Sequence, residues 1–119
     1  MERDPRAFLW DVQQAALAIE QFIHGLDATS YADNALVRSA VERQFEIVGE
    51  ALNRLSKVSP DLAQKIPNLR EIIGFRNILI HGYASIDHAR VWKIAVDLAP
   101  ELKAVVSALL ETSDRPPAP

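Results

Sequence analysis

Apolar residues recur at helical spacing along almost the whole of this chain. Phe8, Val12, Ala15, Ile19, Phe22 and Leu26 alternate between steps of four and three, which places them on one stripe. Gly25 supplies a stop, so the pattern predicts a first helix over about residues 5–25. His24 falls in its last turn, where positive charge is favoured. Residues 27–33 read as a loop. Val37, Val41, Phe45, Val48, Leu52 and Leu55 form a second stripe, with Asp33 as candidate N-cap. Gly49 sits inside that stripe at a cost of about 1 kcal/mol against alanine, for which close approach of another helix is the usual compensation. Ser59-Pro60 opens a short helix that ends before Pro67. The next helix begins near Pro67 or Asn68, runs to about His81 and stops at Gly82. The last starts near Ser85–Ile86 and carries Val91, Ile94, Leu98, Leu102, Val105 and Leu109. Pro100 predicts a kink or a break in it. No stretch alternates as a strand does, and no internal repeat appears. The expected fold is all-α: a bundle of four long helices plus one short helix, with neighbours mainly antiparallel. Residues 1–112 make the domain, and 113–119, a proline-rich tail without core-forming residues, is expected to be disordered.

Composition narrows the picture. A chain of 119 residues makes one domain with a real core. There is no cysteine, which removes disulfides and thiolate metal sites. The N-terminus lacks the basic-then-apolar order of a signal peptide, and no run nears the roughly 20 apolar residues of a membrane span. A soluble cytoplasmic protein is therefore expected. The net charge of −3 means that any nucleic acid must be met by a local basic patch.

Chemistry concentrates in Arg76-Asn77-Ile78-Leu79-Ile80-His81-Gly82-Tyr83, at a predicted helix C-terminus. Arginine can clamp a phosphate through two parallel hydrogen bonds. Histidine can both take and give a proton near neutral pH. Together they are the tools for cutting RNA through its own 2′-hydroxyl, with no metal and no cofactor. Asn77 and His81, four apart, share a helical face. Ile78 and Leu79 are candidates for the core face, with Ile80 at its margin. Taken alone, this spacing also fits a surface salt-bridge arginine and a capping histidine.

The wider order of residues adds weight. Glu46-Ile47-Val48-Gly49-Glu50-Ala51, then Arg70 to Tyr83, then Asp87 and Val91-Trp92, resembles the HepT-like family of the HEPN superfamily, over nearly the whole chain. The motif of that family is arginine, four residues, histidine, one residue, tyrosine. It matches here as Arg76, His81 and Tyr83, with Asn77 as the polar residue after the arginine. The resemblance implies a helical homodimer with the motif at its interface, acting on RNA as a metal-independent endoribonuclease toxin. It further implies an MntA-type nucleotidyltransferase antitoxin that silences the toxin by transferring AMP to a tyrosine, here Tyr83, as in a type VII toxin–antitoxin system. The alternative is a non-catalytic helical dimer that partners a nucleotidyltransferase and helps to bind nucleotide.

Chemistry also favours a dimer. Cleavage needs a base, an acid and positive charge at phosphorus. One chain offers one motif histidine, whereas two chains offer His81 and Arg76 twice. His24 reads as a helix-end residue, and His88 lies close enough in sequence to the motif to be a second candidate. Glu46 and Glu50 make a poor metal pair, since no histidine accompanies them, and Glu50 is instead expected to pair with a basic group near the motif. Trp10 and Trp92 read as packing residues, and Arg54 and Arg70 as the basic residues bordering the cleft.

Overall fold

The computed structural model describes residues 3–82 and 85–113. Its elements are α1 (Pro5–Ile23), α2 (Ala28–Ala32), α3 (Ala35–Val58), α4 (Pro60–Ala63), α5 (Leu69–His81), α6 (His88–Lys93), a π-helical segment (Ile94–Leu98) and α7 (Ala99–Ser113). The last three run on as one rod, because the residues at both junctions keep helical dihedrals. No strand occurs among the described residues. The expected tail lies almost wholly outside them.

The caps explain where the helices begin. Asp4 accepts from the Arg6 amide ahead of Pro5 at the first helical position of α1. The segment expected as a loop holds α2 instead, because Asp27 and Ser30 close a reciprocal capping box around its first turn. Asp33 therefore ends α2, and the cap of α3 moves one residue on to Asn34, whose side chain accepts from the Val37 amide. The last rod starts at His88, two residues later than the apolar pattern predicted. Asp87 accepts from the amides of Ala89 and Arg90 there and sets the boundary. His24 lies just past the end of α1 rather than in its last turn.

Pro100 produces no break. The Ala99 amide bonds back five residues to the Ile94 carbonyl, and this wider turn absorbs a proline that has no amide proton and would crowd the carbonyl four residues before it. The extra residue also shifts the buried face. Val91, Ala95, Ala99, Leu102 and Val106 are buried, whereas Ile94, Leu98, Val105 and Leu109 are only partly so.

The long helices pack antiparallel, with α3 between α1 and α5. The start of α1 meets the end of α3 in a cluster of Phe8, Val12, Leu52, Leu55, Ile66, Ile72, Leu102 and Val106. The opposite end holds Ile19, Tyr31, Val41, Phe45, Phe75, Leu79 and Val91. Phe45 and Phe75 meet edge to face at 5.4 Å, and Tyr31 packs on Trp92 at the same centroid distance. The rod lies along α1 through Gln13–Ser107 and Glu20–Lys103 contacts of 3.0 and 2.7 Å. Phe22, which its spacing put on the apolar stripe, is 38% exposed, and Trp10, read as a packing residue, is 55% exposed. No helix among the described residues is long and apolar enough to cross a membrane.

Candidate functional site

Helix α5 lies at the edge of the bundle, packed chiefly on α3. Its buried stripe is Ile72, Phe75 and Leu79. Ile78, a candidate for that stripe, is 44% exposed, because it falls about 100° short of Leu79 around the helix. Ile80 is 37% exposed, at the margin where the spacing put it.

Arg76 crosses the α3–α5 seam. Gly49 makes this crossing possible: a Cβ there would fall deep inside the contact distance of Arg76 Cβ and 3.0 Å from its Cγ and Cδ. The mid-helix glycine thus answers the close approach that its position predicted. The arginine stem lies across the bare α3 backbone, leaving its side chain only 25% exposed.

The guanidinium is held from two sides. Its Nη2 pairs with Glu50 Oε2 at 2.7 Å, and its Nη1 donates to Asn77 Oδ1 at 3.1 Å. Arg54 Nε donates to Glu50 Oε1, also at 2.7 Å. The Arg54 hydrogen bond, with the nearby Arg76 charge, holds the Glu50 carboxyl below the usual carboxylate range against the opposing effect of burial. Glu50 is therefore ionised at neutral pH, and two guanidiniums around one carboxylate leave a net positive charge. Of the five N–H groups of Arg76, one goes to Glu50 and one to Asn77, and Nε–H is buried with no partner among the described residues. Two terminal N–H groups stay available to an incoming anion.

His81 closes α5 and is exposed, as is Asn77 one turn earlier on the same face. From Arg76 to His81 the helix advances about 7.5 Å and turns about 140°, so within one chain the two side chains leave α5 on different sides and do not face each other. Gly82 follows as the C-cap. Tyr83 lies outside the described residues. Arg54 borders the site, as expected. Arg70, expected beside it, sits in the first turn of α5, six residues before Arg76 and turned about 120° from it.

The sequence pointed to a helix approaching Gly49 but not to Arg76 as the residue that does so. Glu50, next to Gly49, faces the seam between two basic residues. Glu46 is likewise engaged, 3.6 Å from Arg43. No group of three or more His, Asp or Glu side chains converges as a metal site among the described residues.

The sequence profile described as Ribonuclease HepT-like matches residues 12–109, which takes in α3, the seam and the whole motif. The chain belongs to the HepT-like ribonuclease family. Relatives extend over most of their own length. The Methanocaldococcus jannaschii protein named "Putative RNase MJ1380" is 38% identical over 104 residues, covering 86% of this chain and 93% of that one. "Putative RNase MJ0125" of the same organism is 34% identical over 104 residues, covering 86% and 87%. "Probable ribonuclease HepT" of Thermococcus cleftensis is 31% identical over 103 residues, covering 87% and 93%. No solved structure matches.

Proposed function

We propose that this HepT-like chain cleaves RNA through the 2′-hydroxyl of its substrate, with Arg76 and His81 at the scissile phosphate. That the chain is an endoribonuclease goes with its family. The observation that supports this finer reading is the braced guanidinium: Gly49, Glu50 and Asn77 hold Arg76 in one pose while two N–H groups remain open. A donor held in place before substrate arrives loses little in reorganisation when charge develops at phosphorus.

The chemistry runs as follows. A base removes the 2′-hydroxyl proton, and that oxygen attacks the adjacent phosphorus. The 5′-oxygen leaves and takes a proton from an acid. The products are a 2′,3′-cyclic phosphate and a 5′-hydroxyl. His81, exposed at the helix end, supplies one of the two proton transfers, and the His81 of a second copy supplies the other. Ile78 and Ile80, both between Arg76 and His81, are exposed and add apolar surface beside the motif for a second copy to cover. Asn77 and Glu50 are positioning residues for Arg76.

The same reading makes the protein the toxin of a pair, with a small nucleotidyltransferase as antitoxin. AMP placed on Tyr83, two residues from His81, brings a phosphate anion and a base to the motif. This competes with RNA for Arg76 and fills the cleft.

Cleavage that survives EDTA, with cyclic phosphate at the 3′-ends, is the expected result. A requirement for Mg²⁺, or full activity in His81→Ala, refutes the mechanism. Light scattering should give a dimer at micromolar concentration, and a monomer removes the composite site. Incubation with the cognate nucleotidyltransferase and ATP should add AMP at Tyr83, seen by mass spectrometry, and silence the nuclease. Neutralisation of Tyr83→Phe as complete as that of wild type shows control by binding alone.

A further inference from the structure

A second polar cleft, of about 480 Å³, opens along α3 next to the motif. It is lined by Arg38, Ser39 and Glu42 of α3, by Leu79 near the end of α5, and by Ile86 and His88 at the start of the rod. Glu46 lines it too, and Glu46 also lines the groove that holds Glu50 and Arg54. One turn of α3, about 5.4 Å, separates Glu46 from the carboxylate that braces Arg76. Leu79 likewise lies one turn beyond Arg76 on α5.

The cleft carries unused hydrogen-bonding capacity. The Nδ1 of His88 is buried with no partner among the described residues. Burial pushes the Glu42 carboxyl above its ordinary range, although His88 and Arg38 stand close enough to oppose that shift. Arg38 donates to the Ala32 carbonyl at the end of α2, which holds its charged guanidinium at the wall of the cleft. Buried polar groups ordinarily find partners, and an unmatched imidazole nitrogen beside a half-buried carboxyl at one opening points to a ligand with a polar edge. Leu79 and Ile86 add apolar surface, which suits a flat face.

We propose that this cleft is a nucleobase subsite, holding the base of the nucleotide next to the scissile phosphate, and that Glu42 reads its edge. A carboxyl group accepts hydrogen bonds from neighbouring N–H groups, and guanine presents two of these side by side on one edge. Ser39 and His88 also line the cleft, the latter with its buried unpartnered Nδ1, and are the groups left to meet the remaining polar atoms of the base. The proposal rests on the ribonuclease reading above, and names the substrate feature which that site selects.

Two measurements test it on the full chain. Sequencing the cut ends of a randomised short-RNA pool should show guanine enriched at one position flanking the cut. Glu42→Gln should lower that enrichment about tenfold at this position alone, since one acceptor becomes a donor. Enrichment of another base, or guanine enrichment that survives Glu42→Gln, overturns the proposal. Separately, guanosine 3′-monophosphate should shift the amide resonances of Ser39 and Ile86 more than cytidine 3′-monophosphate does. The absence of any such shift overturns the subsite whether or not RNA is cut. Shifts at these residues in a protein that cuts no RNA support the subsite and refute the ribonuclease reading alone.

Discussion

Gly49→Ala separates the catalytic use of the α3–α5 seam from its structural use. The added Cβ would overlap Arg76 Cβ and sit 3.0 Å from its Cγ and Cδ. Carbon atoms pack comfortably at about 3.5–4.0 Å, so the arginine stem and its backbone must retreat by about 1 Å. The obstructing atom is a Cβ, which cannot swing away as the end of a long side chain could. Overpacking of this kind costs about 1–3 kcal/mol, and alanine recovers about 1 kcal/mol of helix propensity. The net loss of about 0–2 kcal/mol lowers the melting temperature by up to about 8 °C in a domain of this size.

Activity should fall much further than stability. A displacement of about 1 Å at a positioned catalytic group can cost about 10²-fold in rate. Here it also breaks the Glu50 and Asn77 contacts that aim the guanidinium. Thermal melting by circular dichroism and kcat/KM on a short RNA, measured on one preparation at a temperature where the variant is folded, give both quantities. Gly74→Ala is the control. It lies in the same helix near the motif, and a Cβ there meets nothing within 4 Å. It should raise stability by about 1 kcal/mol and leave the rate alone. A Gly49→Ala protein that cleaves within about twofold of wild type refutes the view that this approach positions Arg76 for the reaction.

Three further substitutions probe the site and its surroundings. His81→Ala should abolish cleavage yet change stability by no more than about 0.5 kcal/mol in urea unfolding, because the imidazole is exposed. A large stability loss would mark it as a structural cap. Glu50 has a folded-state pKa below its unfolded value of about 4.3, so its contribution is present above that pH and is lost as pH falls through the lower, folded value. The melting temperature of wild type should therefore drop more than that of Glu50→Gln between about pH 6 and about pH 3. Equal drops would show that the ion pairs seen at Glu50 add nothing in solution. Tyr31→Phe should be neutral or stabilising in urea, since the hydroxyl is buried without a partner among the described residues and its removal ends a desolvation cost. A loss above about 1 kcal/mol would reveal a hydrogen bond to that oxygen.

The helical stripes were legible because burial on one face of a helix imposes its period on the sequence. Val41, Phe45, Val48, Leu52 and Leu55 are all buried, as the second stripe predicted. The errors fall where a second influence competes with that period. Asp27 and Ser30 turned an expected loop into a helix through side-chain capping, which leaves no trace in hydrophobicity. The π turn before Pro100 slipped the phase of the last stripe by one residue. Ile78 was a candidate for the core face beside Leu79, whereas the buried residues of α5 are Ile72, Phe75 and Leu79. At the site, the motif named candidate residues and their order along one helix. It said nothing of the seam, because the contact of Gly49 with Arg76 spans 27 positions of sequence and depends on which helices become neighbours. Glu50 could be suspected, but its double pairing with Arg54 and Arg76 needed the fold.

That double pairing answers a physical question about the site. A carboxylate beside an arginine proposed to meet phosphate looks self-defeating, since it offers the cation a competing anion. Without it, however, Arg76 and Arg54 would stand as two like charges near one seam, and a long flexible side chain would spread over many poses. Glu50 takes one N–H of Arg76 and the Nε–H of Arg54, and Asn77 takes a second N–H of Arg76. The guanidinium is a rigid plane, so two anchored corners orient the remaining terminal donors. The pair of arginines still outnumbers the one carboxylate, so attraction for a phosphate persists after the bracing. Glu50→Ala should then weaken catalysis rather than strengthen it, although it removes a negative charge from the path of an anion. The expected pattern is a lower KM, because net positive charge grows, with a kcat reduced by about tenfold or more as the donor loses its aim. A variant with lower KM and undiminished kcat would show that Glu50 only screens the site and has no part in positioning Arg76.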